Sequence, residues 1–217
     1  MPLRLYSQVS AEFPHLTPGW SSGQNSVVFS NPKFGTIFHV VVCNETGKPL
    51  YDQPVWAEPI GAVIVPVDEN GKIVFVENYR AASPANGTCM THPPSAEDLS
   101  QQGRFSLELP RGFPEIGESS EEAAKRETKE ETGCIVIDMI CLGKSNVNTT
   151  FFLNNTPIWL AHVTNSQPVV ESDDNERIKR VYFLELKEAM DRVRSGEIIC
   201  GMTKSALLHY LAWLQYS

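Results

Sequence analysis

No stretch of the 217-residue chain approaches the ~20 consecutive apolar residues that a membrane-spanning helix needs. A membrane protein is therefore not the expectation. Met1 to Val9 holds a single arginine and no apolar run, so no secretory signal is expected either. Positive charge is short: 18 Lys and Arg against 26 Asp and Glu leave a net charge of -8. Nucleic acid and anionic membrane surfaces are bound by clustered Lys and Arg, so neither is the expected partner. A small anionic molecule stays admissible if metal ions supply the attraction. Cysteine is sparse and odd in number, with Cys43, Cys89, Cys134, Cys141 and Cys200 scattered without paired spacing. That excludes a disulfide framework and suits reduced thiols in a cytoplasmic protein. Cys89 and His92 offer two ligand types, short of the four that structural zinc takes.

What is present is ordinary globular material, with 41% hydrophobic and 20% charged residues. The length suits one core with room for an N-terminal extension, and we divide the chain into an arm with strands at 1–55 and a main domain at 56–217. Pro14, Pro18, Gly19 and Gly23 make residues 1–35 an irregular arm with one short strand at 27–29. A strand follows at 36–43, then a turn through 45–48. Apolar runs at 60–67 and 73–77 predict neighbouring core strands joined by a type I′ turn at Asn70-Gly71. The second should end at Tyr79-Arg80, and 81–104 predicts a lid, a substrate loop or an insert. Phe105, Leu107 and Leu109 alternate with Ser106 and Glu108, which turns Glu108 away from the apolar side of its strand. Further strands are expected at 135–142, 157–163 and 178–186. Helices are expected at 187–195 and at 203–214, the latter with Leu207, Tyr210, Leu211 and Leu214 on one face. Helices alternating with hairpin strands predict an α+β fold, a mixed sheet sandwiched between helices.

The chemistry is concentrated between Gly112 and Cys134. Ser119 is placed to cap a helix, Glu122 completes a capping box and Gly133 stops it. Glu127, Glu130 and Glu131 then share one arc of helix surface at i, i+3 and i+4. Like charges at that spacing cost roughly 0.2–0.5 kcal/mol per pair, and the last turn of a helix favours cations. A divalent cation on that arc reverses both terms. A solvated acidic face is the plainer alternative, and Glu121 with Lys125 and Glu122 with Arg126 are i, i+4 pairs that fit it. The spacing G-x5-E-x7-R-E-x2-E-E-x-G, met by Gly112, Glu118, Arg126, Glu127, Glu130, Glu131 and Gly133, decides between them. It closely resembles the Nudix box, the signature of the Nudix hydrolases. Thr128 and Cys134 stand where that family usually has aliphatic residues.

From about Trp56 onward the chain is similar to the ADP-ribose pyrophosphatase branch of that family. The likeness is carried by Glu77-Asn78-Tyr79-Arg80, Glu108-Leu109-Pro110, Asp173-Asp174-Asn175-Glu176 and Ser195-Gly196-Glu197-Ile198. The resemblance implies an α/β/α sandwich and a magnesium or manganese ion. It implies hydrolysis of a nucleoside diphosphate linked to another moiety, such as ADP-ribose or another nucleotide sugar, and a homodimer built through an N-terminal sheet. It implies metal ligands at Glu127, Glu130 and Glu131, with the Gly112 carbonyl and Glu176 in addition. Arg126 would hold Glu118 and orient the loop, against a plain surface pair with Glu122. Asp174 stands where the branch has its general base, with Glu118 or Glu171 as alternatives, and Arg80, Glu108 and Arg111 are the candidate substrate contacts. The branch's proline after the box is missing from 145–155, and the 80–105 connection is longer than its pattern. Two other readings follow from the same box: a non-catalytic nucleotide-sugar sensor, and a house-cleaning hydrolase of modified nucleoside triphosphates.

Overall fold

The structure, a computed structural model, describes residues 3–5, 26–81, 83, 103–164 and 178–217. The chain divides into two compact units, Met1–Ile60 with Asn146–Asn155, and Gly61–Ser145 with Thr156–Ser217.

In the first unit, β-branched and aromatic residues make β3 (Gly35–Cys43) the central strand. It pairs antiparallel with β1 (Leu3–Leu5), β2 (Val27–Asn31) and β4 (Pro49–Ala57). Pattern alone offers little sign of β4, because Pro49 and Pro54 argue against a strand. An edge position tolerates a residue that cannot donate to the ladder. Residues 146–155 fold against this strand, with Trp56 N donating to Phe151 O at 2.7 Å and Leu153 N to Trp56 O at 2.9 Å. The Trp56 ring stacks on Phe152 with centroids 5.5 Å apart.

The second unit holds β5 (Ala62–Val67), β6 (Ile73–Arg80), β7 (Arg104–Glu108), β8 (Arg111–Gly112), α1 (Ser120–Thr132), β9 (Ile135–Ser145), β10 (Thr156–Thr164), β11 (Ile178–Leu184), α2 (Leu186–Ser195) and α3 (Gly201–Tyr216). Among the described residues the strands form a seven-stranded sheet along the path β11-β6-β5-β10-β9, with β7 on β6 and β8 on β5. β5 and β10 run parallel and the other pairs antiparallel, so the sheet is mixed. Every residue of β5 is buried, as expected of a strand covered on both faces. Ala62, Ile64 and Val74 pack on Ala124 of α1. On the opposite face Val63, Val65, Phe75 and Leu107 pack with Ala189 of α2 and with Ala206, Leu207 and Tyr210 of α3. One helix on one face and two on the other make the α/β/α sandwich.

Two expectations need correction, the type of the turn before β6 and the burial of Leu214. The turn between β5 and β6 is not type I′, since only Gly71 has positive φ and Asn70 does not. Asp68 N donates to Lys72 O and Gly71 N to Asp68 O, a three-residue loop closed by a left-handed glycine. The Asp68 carboxylate fixes it by accepting from Asn70 N and Lys72 N. Beyond that loop β5 and β6 pair only at Val67 and Ile73, then diverge to other partners. β6 ends at Arg80, as expected, with its last residues paired to β7. Leu214 is 48% exposed, and the buried stripe of α3 is Thr203, Ala206, Leu207 and Tyr210. No helix of the described residues is long and apolar enough to cross a membrane. Cys43, Cys134, Cys141 and Cys200 are free thiols.

Candidate active site

α1 starts and stops where its caps dictate. Ser119 Oγ accepts from Glu122 N at 3.2 Å, and Glu122 Oε2 accepts from Ser119 N at 2.9 Å. Gly133 closes the helix in the left-handed region at φ 72°. Ala123, Ala124 and Thr128 are buried. The Thr128 hydroxyl donates to Ala124 O at 2.7 Å, which leaves its methyl group for packing and answers the departure from an aliphatic residue. Glu122 is thus occupied as a cap and does not pair with Arg126. Glu121 with Lys125 does form the expected surface pair, at 2.6 Å.

Arg126 gathers the loop and the helix onto one guanidinium. Its Nε and Nη2 donate to the two oxygens of Glu118, both at 3.0 Å, in a bidentate fork. Nη2 also donates to the Phe113 carbonyl at 2.9 Å, and Nη1 to Glu127 at 2.9 Å and Glu130 at 2.8 Å. These partners push the Arg126 pKa up, the Glu118 hydrogen bonds most of all. The same hydrogen bonds hold the Glu118 carboxyl below the usual glutamate range, helped by the Glu115 N–H that donates to it at 2.7 Å.

A second chain of contacts runs from the helix into the sheet. Glu131 is fully buried, and its Oε2 accepts from Arg111 N at 3.1 Å. Arg111 Nε donates to Glu108 Oε2 at 3.2 Å, and Arg80 Nε donates to the same oxygen at 3.0 Å. Glu108 does face away from Leu107, as its alternation requires, but that side is covered too and Glu108 is only 3% exposed. A carboxylate at that depth needs cationic partners, and Arg80 and Arg111 serve. Gly112 ties the two chains of contacts together, because a Cβ there would overlap the Glu127 carboxylate. The loop backbone groups Phe113 O and Glu115 N are site members that no side-chain signal could have revealed. Glu171, Asp174 and Glu176 lie outside the described residues.

Among the described residues no three His, Cys, Asp or Glu side chains converge on a common metal position. The guanidinium of Arg126 is the cation that Glu127 and Glu130 share. The donor set nevertheless fits a divalent cation of the magnesium type. Its members are carboxylates and a backbone carbonyl, all hard oxygens, and the missing side chain at Gly112 leaves the backbone in direct reach of Glu127.

A family model described as the NUDIX domain matches residues 57–200. The chain belongs to the Nudix family, and with its box complete it is a Nudix pyrophosphohydrolase. A solved structure described as "Crystal structure of ADP compounds hydrolase" aligns with a TM-score of 0.61 at 20% identity. The alignment covers 86% of this chain and 90% of that one, a likeness of fold. A search of curated proteins gave no match.

The lowered Glu118 pKa makes the loop clamp pH-sensitive with a definite sign. A carboxylate depressed in the folded state contributes its stability in full above its unfolded pKa and loses it as pH falls through the folded value. The Tm difference between the wild type and Glu118→Gln, followed by thermal denaturation, should be widest above the ordinary glutamate pKa of about 4.3 and shrink as pH falls through the lowered folded value. A difference independent of pH would contradict the clamp.

Proposed function

We propose that this protein is a metal-dependent hydrolase that cleaves the diphosphate bond of a nucleoside diphosphate linked to a second moiety, ADP-ribose or another nucleotide sugar. The observation that carries this reading is the packing of the Gly112 backbone against Glu127, which shares the Arg126 guanidinium with Glu130. Glu127, Glu130, Glu131 and the Gly112 carbonyl would hold magnesium or manganese, with Glu176 as a further ligand. A bound divalent cation supplies charge neutralisation to the diphosphate oxygens and acidifies water. The chain's own residues do the rest. Arg126 keeps Glu118 ionised and the loop closed on the helix. Arg80 and Arg111, both half-buried on Glu108, offer guanidinium N–H groups to the substrate's phosphates. Asp174 takes the proton of the attacking water, with Glu118 or Glu171 as alternative bases.

The net negative charge accords with a small-molecule substrate in the cytoplasm and not with nucleic acid or a membrane surface. Incubation with magnesium and a panel of nucleoside diphosphate derivatives should release nucleotide products. Glu131→Gln should lower turnover by about two orders of magnitude without lowering Tm. Turnover of modified triphosphates alone would favour the house-cleaning reading, and turnover of nothing the sensor. Wild-type rates in Glu131→Gln would remove α1 from the reaction.

The first unit exposes Leu3, Leu5, Val27, Val28 and Phe29 on the two strands that flank β3, apolar side chains that a second copy of the chain would cover. Light scattering should give twice the 24.2 kDa of one chain. A single-chain mass at micromolar concentration would contradict the dimer.

A further inference from the structure

Alternation along paired strands divides the side chains of β6 and β7 between the two faces of the sheet. Val74 packs with Ala124 of α1, so Val76, Asn78 and Arg80 share the α1 face. The register pairs Val76 with Glu108, Asn78 with Ser106 and Arg80 with Arg104, which puts those partners on the same face. Arg80 and Glu108 are therefore separated by one intervening pair. Their ion pair, 3.0 Å from Nε to Oε2, reaches along the ladder past Asn78 and Ser106.

Both intervening residues are buried, at 1% and 4% exposure. Asn78 Nδ2, Ser106 Oγ and Arg80 Nη2 have no hydrogen-bond partner among the described residues. Buried polar atoms are almost always paired, and leaving one unmet costs more than a made bond contributes. These three are contiguous, and Glu108, Arg111 and Glu131 connect them to the helix carboxylates. Their chemistry is one-sided, since amide and guanidinium N–H groups only donate, and a hydroxyl can donate as well. Arg80 and Arg111 both meet Glu108, two guanidinium groups on one carboxylate.

We propose that Asn78 and Ser106, with Arg80, form a substrate subsite for phosphoryl oxygens, reached when Arg80 turns from Glu108 to the anion. The inference rests on the hydrolase reading above and adds two contacts to it. Arg80 is free to make that turn because Glu108 keeps Arg111 at 3.2 Å, so no buried carboxylate is stranded. The amide of Asn78 and the hydroxyl of Ser106 then meet the oxygens that they lack in the free protein.

Ser106→Ala and Asn78→Leu each remove an unmet group, so the Tm of the free protein should hold or rise. With magnesium and ADP-ribose, KM should rise about tenfold or more while kcat stays within about threefold, the mark of lost binding. Ser106→Thr, which keeps the hydroxyl, should restore KM. A fall in Tm with KM unchanged would mean that internal water already serves these atoms, and the subsite would be overturned. If the wild type turns over no diphosphate, the hydrolase reading fails separately, and calorimetric titration with inorganic phosphate judges the subsite. Phosphate binding weakened about tenfold in Asn78→Leu supports it, and equal binding, or none to the wild type, overturns it.

Discussion

The guanidinium of Arg126 is the node on which the site depends. Helix α1 sets acidic residues on one arc, an arrangement that repels itself and opposes the helix dipole. Arg126 answers that repulsion from within the same helix. It binds Glu118 with a fork, Glu127 and Glu130 with one nitrogen, and the loop backbone through the Phe113 carbonyl. Only an arginine can do this, because five donors in a fixed plane reach partners that a lysine's point charge cannot hold together. The arginine side chain is about a quarter exposed and Glu118 less so, so solvent screens these bonds less than it would a surface pair.

Around that node the fold separates structural from chemical duties by sheet face. The face under α2 and α3 is apolar along β5, β6 and β7, and it carries most of the burial. The α1 face begins apolar at Ile64 and Val74 and turns polar along β6 and β7. A strand with period two can do both at once, as Leu107 and Glu108 show by pointing into different layers from adjacent positions. Glu108 is buried between two arginines and Glu131 against the Arg111 N–H, both beside the loop that leads into α1.

Much of this was legible in the sequence because local rules and the fold agree. The capping box, the Gly133 stop and the spacing of the glutamates are short-range signals, and the helix forms where they say. The sandwich was readable from the alternation of elements. What escaped depends on partners distant in sequence. β4 with its two prolines is a strand only because β3 and residues 151–153 flank it. The depth of Glu108 is set by what covers the α1 face, and Leu214 is exposed while its neighbour Trp213 packs on the core. The Asp68 turn follows a side-chain capture of backbone N–H groups that the Asn-Gly pair concealed. The candidate bases Asp174 and Glu171 and the candidate ligand Glu176 fall outside the described residues.

Under the proposed function, Glu127 and Glu130 exchange the guanidinium of Arg126 for a divalent cation. Crystals grown with manganese and measured for anomalous scattering test it most directly. A peak is expected within coordinating distance of Glu127, Glu130, Glu131 and the Gly112 carbonyl, with Arg126 still forked onto Glu118. No peak near α1, with Arg126 unmoved on Glu127 and Glu130, would contradict it.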